Sequence, residues 1–255
     1  MIRILFIGDI VGKSGRDIVK ELLPKLKTDY RPDFIIANGE NAAHGKGITP
    51  KLFRELLSFG IDVVTMGNHT YAKNNIYDII EDKQLVRPIN LLPNDRGSGL
   101  RYFNVKGTNI GVLNVIGQAF MERDVLDPFG FVKNIFKEDC CYIVDFHGET
   151  TSEKAIFAYH YQSKIAALLG THTHVQTADE RIINGCAFIS DVGMCGAYDS
   201  IIGRDVDEVI NNMINKEKTH YQIAEGPGVF CGVIVDIEDS RAINIERIQL
   251  RPNEN

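Results

Sequence analysis

Short apolar runs alternate with helix-spaced apolar positions through the first part of the chain. Residues 4–7 are β-branched and aromatic-rich and read as a buried strand ending at Gly8-Asp9. Ile18, Val19, Leu22, Leu23 and Leu26 then recur on one helical face and predict a helix over residues 16–27. Residues 34–37 read as a second strand, closed by Asn38-Gly39-Glu40-Asn41. Thr49 as N-cap and Pro50 at the first helical position open another helix, in which Leu52, Phe53, Leu56 and Leu57 keep helical spacing until Gly60. Residues 63–66 form a third strand pattern, ending at Gly67-Asn68-His69. This order predicts a parallel sheet with helices on its faces. Ligands of such sheets collect beyond the carboxyl ends of the strands, where all three polar clusters fall.

The pattern then changes. Residues 102–105 and 110–116, joined through Lys106-Gly107-Thr108-Asn109, predict a β-hairpin. Residues 142–146 form a buried strand ending at His147-Gly148-Glu149, and Thr150 with Glu153 fits a capping box opening the next helix. Residues 166–169 lead into Gly170-Thr171-His172-Thr173-His174. Hairpin-like stretches follow at 181–191 and 229–250, with a helix near 206–215 between them. No repeat, low-complexity run or linker interrupts the chain. Residues 1–255 therefore read as a single α/β domain, two sheets packed face to face with helices outside.

Composition narrows the function. The 255 residues carry a net charge of −6, which argues against stable bulk nucleic-acid binding. An anionic substrate stays open, because bound metal ions reverse a local field. Five cysteines without a CxxC point to free thiols and a cytoplasmic chain rather than a disulfide framework. The first apolar run is broken by Asp9, too short to span a membrane, and no signal-type cleavage site follows.

Seven ligand-type side chains close these strands: Asp9, Glu40, Asn41, Asn68, His147, His172 and His174. Each alone has an ordinary reading, as a turn cap, a polar loop or a satisfied histidine. Their joint placement at strand ends is what predicts a metal site. The mixed oxygen and nitrogen set suits Mn, Fe or Zn better than Ca or Mg. Lys13, near a helix start, and His44, in the loop Ala43-His44-Gly45-Lys46-Gly47, are candidate substrate contacts. His160 reads as structural, His220 as surface, and Cys195 as a small buried thiol rather than a nucleophile. Gly8-Asp9-Ile10-Val11-Gly12-Lys13-Ser14 imitates a phosphate-binding P-loop but has one residue too few between its glycines.

The ordered series Gly8-Asp9, Asn38-Gly39-Glu40-Asn41, Gly67-Asn68-His69, His147-Gly148 and Gly170-Thr171-His172-Thr173-His174 resembles the motifs of calcineurin-like metallophosphoesterases. Two departures, no histidine after Asp9 and Glu40-Asn41 where an aspartate is usual, resemble the YmdB-type bacterial 2′,3′-cyclic-nucleotide phosphodiesterases. Ser190-Asp191-Val192-Gly193-Met194-Cys195-Gly196 and Tyr198-Asp199-Ser200 resemble them too, extending the likeness over nearly the whole chain. The resemblance implies a four-layer α-β-β-α sandwich of two mixed sheets and two metal ions, iron or manganese. Asp9, Glu40, Asn41 and His174 would hold the first ion. Glu40, Asn68, His147 and His172 would hold the second, with Glu40 bridging. A metal-bridging hydroxide would attack a small phosphodiester or cyclic nucleotide, with His69 as the catalytic general acid. A homo-oligomer, dimer or tetramer, is implied as well. The alternatives are a 5′-nucleotidase-like phosphomonoesterase, or a regulatory nucleotide- or RNA-binding protein with little turnover.

Overall fold

The computed structural model describes residues 1–121 and 124–252. Its larger sheet is built on β1 (Ile2–Ile7), β3 (Phe34–Asn38), β4 (Val63–Thr65) and β5 (Leu85–Val86), paired in parallel in that order. On the other side of β1, β13 (Gly228–Glu238) runs antiparallel to it, and β14 (Arg241–Leu250) pairs β13. Two short strands, β2 (Asp9–Ile10) and β12 (Met194–Ala197), complete the edge. The smaller sheet runs in the order β10 (Arg181–Ile183), β11 (Cys186–Ile189), β9 (Ala167–Thr171), β8 (Cys141–His147), β7 (Thr108–Ile116), β6 (Leu100–Val105). Both sheets are mixed: in the smaller one the hairpins β6–β7 and β10–β11 flank parallel strands, and in the larger one β13 runs antiparallel beside parallel β1, β3, β4 and β5.

Strand alternation separates the core into layers. Leu5 and Ile7 of β1 pack outward against Ile18, Leu22 and Leu26 of α1 (Gly12–Tyr30) and Phe53 of α2 (Pro50–Ser58). Ile4 and Phe6 of the same strand face inward, against Val112, Ile143, Leu169 and Ile189 of the smaller sheet. Beyond that sheet, Val144 and Phe146 pack on Phe157 and Ala158 of α4 (Thr151–Tyr161), near the short α3 (Pro128–Val132). The order helix, sheet, sheet, helix is the four-layer α-β-β-α sandwich expected of the sequence.

Local differences have physical reasons. Helix α1 begins at Gly12, not residue 16, because Gly12 turns the chain at φ 61° straight after β2. The hairpin turn is only Lys106-Gly107, both at positive φ, so Thr108 and Asn109 belong to β7. The capping box at Thr150 does not form: Thr150 makes no side-chain cap. Glu153 instead accepts from the backbone N–H groups of Gln118 and Ala119, which lie beyond the end of β7. The P-loop imitation fails physically as well as by spacing. Four of its N–H groups are already spent, Gly8 on Cys231, Asp9 on Gly193, Val11 on Cys195 and Gly12 on Asn41. All five cysteines are buried free thiols, and burial pushes the Cys195 thiol well above its usual value.

Candidate metal centre

The carboxyl ends of β1, β3, β4, β8 and β9 point to one rim, and the seven candidate ligands gather there. Asp9, Glu40, Asn41 and His147 are buried, while Asn68, His172 and His174 are half-buried. His147 Nε2 lies 3.1 Å from Glu40 Oε1, 2.9 Å from Asn68 Oδ1 and 3.1 Å from His172 Nδ1. Asn41 Nδ2 lies 3.2 Å from Glu40 Oε1, 3.1 Å from His174 Nε2 and 3.4 Å from Asp9 Oδ1. Two sub-clusters therefore meet at Glu40, one with Asn68, His147 and His172, the other with Asp9, Asn41 and His174.

The hydrogen bonds behind the rim decide which ring nitrogen faces it. His147 Nδ1 is 2.9 Å from Thr171 Oγ1, whose own hydrogen goes to Asp145 at 2.7 Å. His174 Nδ1 is 2.8 Å from the Ile202 carbonyl, and His172 Nε2 is 3.2 Å from Glu149. Each ring thus bonds outward through one nitrogen and turns the other inward, the arrangement a metal ligand needs. Inward, His147 Nε2 faces an amide oxygen, a carboxylate and a second imidazole, more acceptors than one N–H could serve. Ligand atoms about 2.1 Å from a shared ion and at right angles lie about 3.0 Å apart, close to the spacings seen. The donors Glu40, Asn68, His147 and His172 fit a metal ion, whereas Asn41 turns its Nδ2 to Asp9, Glu40 and His174 and its Oδ1 to His69. A further sign of fit is Gly67, where a Cβ would fall 2.2 Å from Glu40 Oε2 and 2.4 Å from His147 Nε2. Only glycine leaves that space free.

Charge follows the same geometry. Burial alone would raise the Glu40 carboxyl, but His147 and His69 outweigh it and hold it well below the usual carboxylate range. Burial opposes a charge on His147, yet Glu40 and Asp9 push that ring up to about 9. Burial, then His147, pushes His172 down to about 3. Burial raises the Asp9 carboxyl against the pull of His174 and His147. In the protein alone, His147 is the group driven to take a balancing proton. A cation held by the same donors competes with that proton.

His69 lines the same cavity of ≈ 280 Å³. Its backbone N–H donates to Glu40 Oε2 at 3.0 Å, and its Nδ1 lies 3.0 Å from Asn41 Oδ1 and 3.3 Å from Glu40 Oε1. Its Nε2 has no hydrogen-bond partner among the described residues. Lys13 and His44 lie elsewhere, in an adjoining cleft of ≈ 620 Å³ that meets this cavity at Tyr221. Lys13 is ion-paired with Asp17 one helical turn on. His160 is exposed on α4, edge-on to Phe129 and Tyr161, and His220 is exposed.

Sequence reasoning missed the supporting groups. Asp145 is buried and accepts from Asn38 Nδ2, Thr65 Oγ1 and Thr171 Oγ1, and burial pushes it up to about 6. Its signal was a lone carboxylate inside the apolar run of β8. Lys154 and Asp191, both fully buried, were missed too. Lys154 Nζ donates to the Thr171 carbonyl at 2.9 Å and to Asp191 Oδ2 at 3.1 Å. Asp191 in turn accepts from the N–H groups of Thr173 and Gly193. The pair braces a loop in which His172 and His174 hold φ values of 106° and 67°, a costly backbone for non-glycine residues.

Comparisons with known proteins identify relatives of the whole chain. A family model described as YmdB-like protein matches residues 5–248. The chain is 45% identical over 254 residues to the 2′,3′-cyclic-nucleotide 2′-phosphodiesterase of Bacillus subtilis, covering 96% of each. A crystal structure described as a novel phosphatase, from Mycoplasma pneumoniae, superposes with a TM-score of 0.93 at 37% identity, over 98% of this chain and 93% of that one. A hypothetical protein from Thermus thermophilus gives 0.92 at 34% identity, over 98% and 99%.

Proposed function

The chain belongs to the YmdB-like family, and from that footing we propose that it is a metal-dependent phosphodiesterase acting on 2′,3′-cyclic nucleotides. The observation that carries the reading is the convergence of Glu40, His147 and His172, whose candidate ligand atoms lie within 4.8 Å of one another while both rings bond outward through their other nitrogen.

Asp9, Glu40, Asn41 and His174 would hold one ion, and Glu40, Asn68, His147 and His172 the other. Iron or manganese suits this carboxylate, amide and imidazole set. When bound, such a pair supplies a water of lowered pKa and neutralises phosphoryl oxygens. The chain's own contribution is positioning and proton supply. Asp145, through Thr171, keeps the His147 proton on Nδ1. Glu149 and the Ile202 carbonyl do the same for the outer nitrogens of His172 and His174. His69 is anchored through Nδ1 by Asn41 and Glu40, which leaves Nε2 to give a proton to the leaving ribose oxygen. That oxygen departs as a basic alkoxide unless protonated, so the transfer bears on the rate.

The assay is turnover of a 2′,3′-cyclic nucleotide with added Mn²⁺ or Fe²⁺, alongside a nucleoside monophosphate. The cyclic diester should be the faster substrate. His69→Ala should keep its metal while kcat falls by roughly 10² to 10⁴. A preference for the monoester would replace this reading with a phosphomonoesterase. Unchanged turnover in His69→Ala would remove His69 from the chemistry.

A further inference from the structure

The mouth of the metal cavity carries a cation, Lys46, that no acidic group claims among the described residues. Lys46, Arg204 and Tyr221 line the cavity together with Glu40, His69 and His174. The Lys46 ammonium stands 4.6 Å from the centroid of the Tyr221 ring, and the Arg204 guanidinium 4.9 Å from the same centroid. The loop bearing Lys46 is seated against this segment. A Cβ on Gly45 would come within 2.2 Å of Ile223 Cδ1 and 2.7 Å of the Tyr221 hydroxyl. His44, Gly45 and Gly47 all take positive φ, which turns the loop tightly over the ring.

The two cations differ in their commitments. Arg204 gives two bonds of 2.8 Å to the Glu208 carboxylate, and Glu208 also accepts from Thr219. Its charge is answered and its guanidinium fixed. Glu149, the exposed carboxylate of the cavity, is taken by His172. Lys46 makes no ion pair among the described residues. Its ammonium is held by an aromatic face, an arrangement that keeps a positive charge in place without neutralising it.

We propose that Lys46 binds the phosphodiester anion at the cavity mouth, with Tyr221 as the positioning residue that holds its ammonium there. This rests on the phosphodiesterase reading above. It assigns the anion contact to Lys46 rather than to Lys13 or His44, which face the neighbouring cleft. The long segment between β12 and β13 thereby enters the site three times, through the Ile202 carbonyl behind His174, through Arg204, and through the Tyr221 ring beneath Lys46.

The experiment measures steady-state kinetics on a 2′,3′-cyclic nucleotide with the metal-loaded protein, at several KCl concentrations. Lys46→Met keeps the aliphatic stem and removes the charge. Its KM should rise about tenfold, with kcat within about twofold and with metal content and melting temperature as in the wild type. Lys46→Arg should recover most of the loss. Tyr221→Leu should raise KM similarly, and combining it with Lys46→Met should add less than about twofold more. The decline of kcat/KM with salt should be shallower in Lys46→Met. Wild-type turnover with an unchanged KM and salt slope in Lys46→Met would overturn this inference alone. No turnover by the metal-loaded wild type would overturn the phosphodiesterase reading and this inference with it.

Discussion

The two ends of the sheets handle buried polarity in opposite ways. At the amino ends, charges meet in ordinary pairs. Arg3 gives Asp236 two bonds of 2.6 and 2.9 Å, and Lys106 meets Asp33 at 2.6 Å. Each donor has its acceptor, and the Arg3 side chain stays about one-third open to solvent, at 32%. At the carboxyl ends, two carboxylates, two amides and three imidazoles face one another with only 1% of the Glu40 side chain exposed. Acceptors outnumber donors there, and two histidines hold strained backbone. A protein selected for stability alone would resolve such crowding as it does at the other end. The proposed metal centre accounts for that crowding, with the contacts behind the rim holding its side chains in place.

If this contrast is sound, disturbing the two ends should give effects of different size and kind. The largest is expected from the brace behind the histidine loop. Lys154→Met leaves Asp191 buried without its counter-charge and should cost about 3–5 kcal/mol of stability by chemical denaturation. It should also weaken metal retention at temperatures where the variant is still folded, since the carbonyl of Thr171 loses its donor and Asp191, which accepts from the N–H of Thr173, loses its counter-charge. A destabilised variant with wild-type metal affinity would show that the pair serves stability only.

The smallest effect is expected at the opposite end. Arg3→Ala should cost about 1 kcal/mol or less and leave metal content and kcat unaltered. Its pH dependence has a definite sign. The Arg3 hydrogen bond depresses the Asp236 carboxyl below its ordinary value. The stabilisation is therefore fully present above the unfolded value of about 3.9 and is lost as pH falls through the folded one. The gap between wild type and Arg3→Ala, measured by urea melts, should be flat above about pH 5 and narrow below about pH 4. A gap that widens in acid would contradict the assignment.

The same contrast explains what could be read from the sequence. The candidate ligands were legible as one cluster because each lies at or just after the end of a strand whose apolar run is unmistakable, and parallel strands place their carboxyl ends on one rim. β1 was legible as a buried strand from its unbroken apolar run, Ile4 to Ile7. Strands β2 and β5 were not, being two residues long with no period to detect. Thr150 and Glu153 had the spacing of a capping box, but two backbone N–H groups from a distant turn claimed the glutamate. The supporting shell stayed hidden for a similar reason. Lys154 and Asp191 are 37 residues apart, and Lys46 and Tyr221 are further still, so only the fold reveals that they meet. Asp145 was the exception that left a trace, a carboxylate within an apolar strand.

The central claim is that these donors form one dinuclear centre bridged by Glu40. The direct test is metal stoichiometry by elemental analysis after Mn²⁺ or Fe²⁺ loading and gel filtration, for wild type and Glu40→Gln. The account predicts about two ions per wild-type chain and fewer than one in the variant, which should remain folded. Equal, full occupancy in both proteins would contradict the bridge, and a wild type that retains no metal would contradict the centre itself.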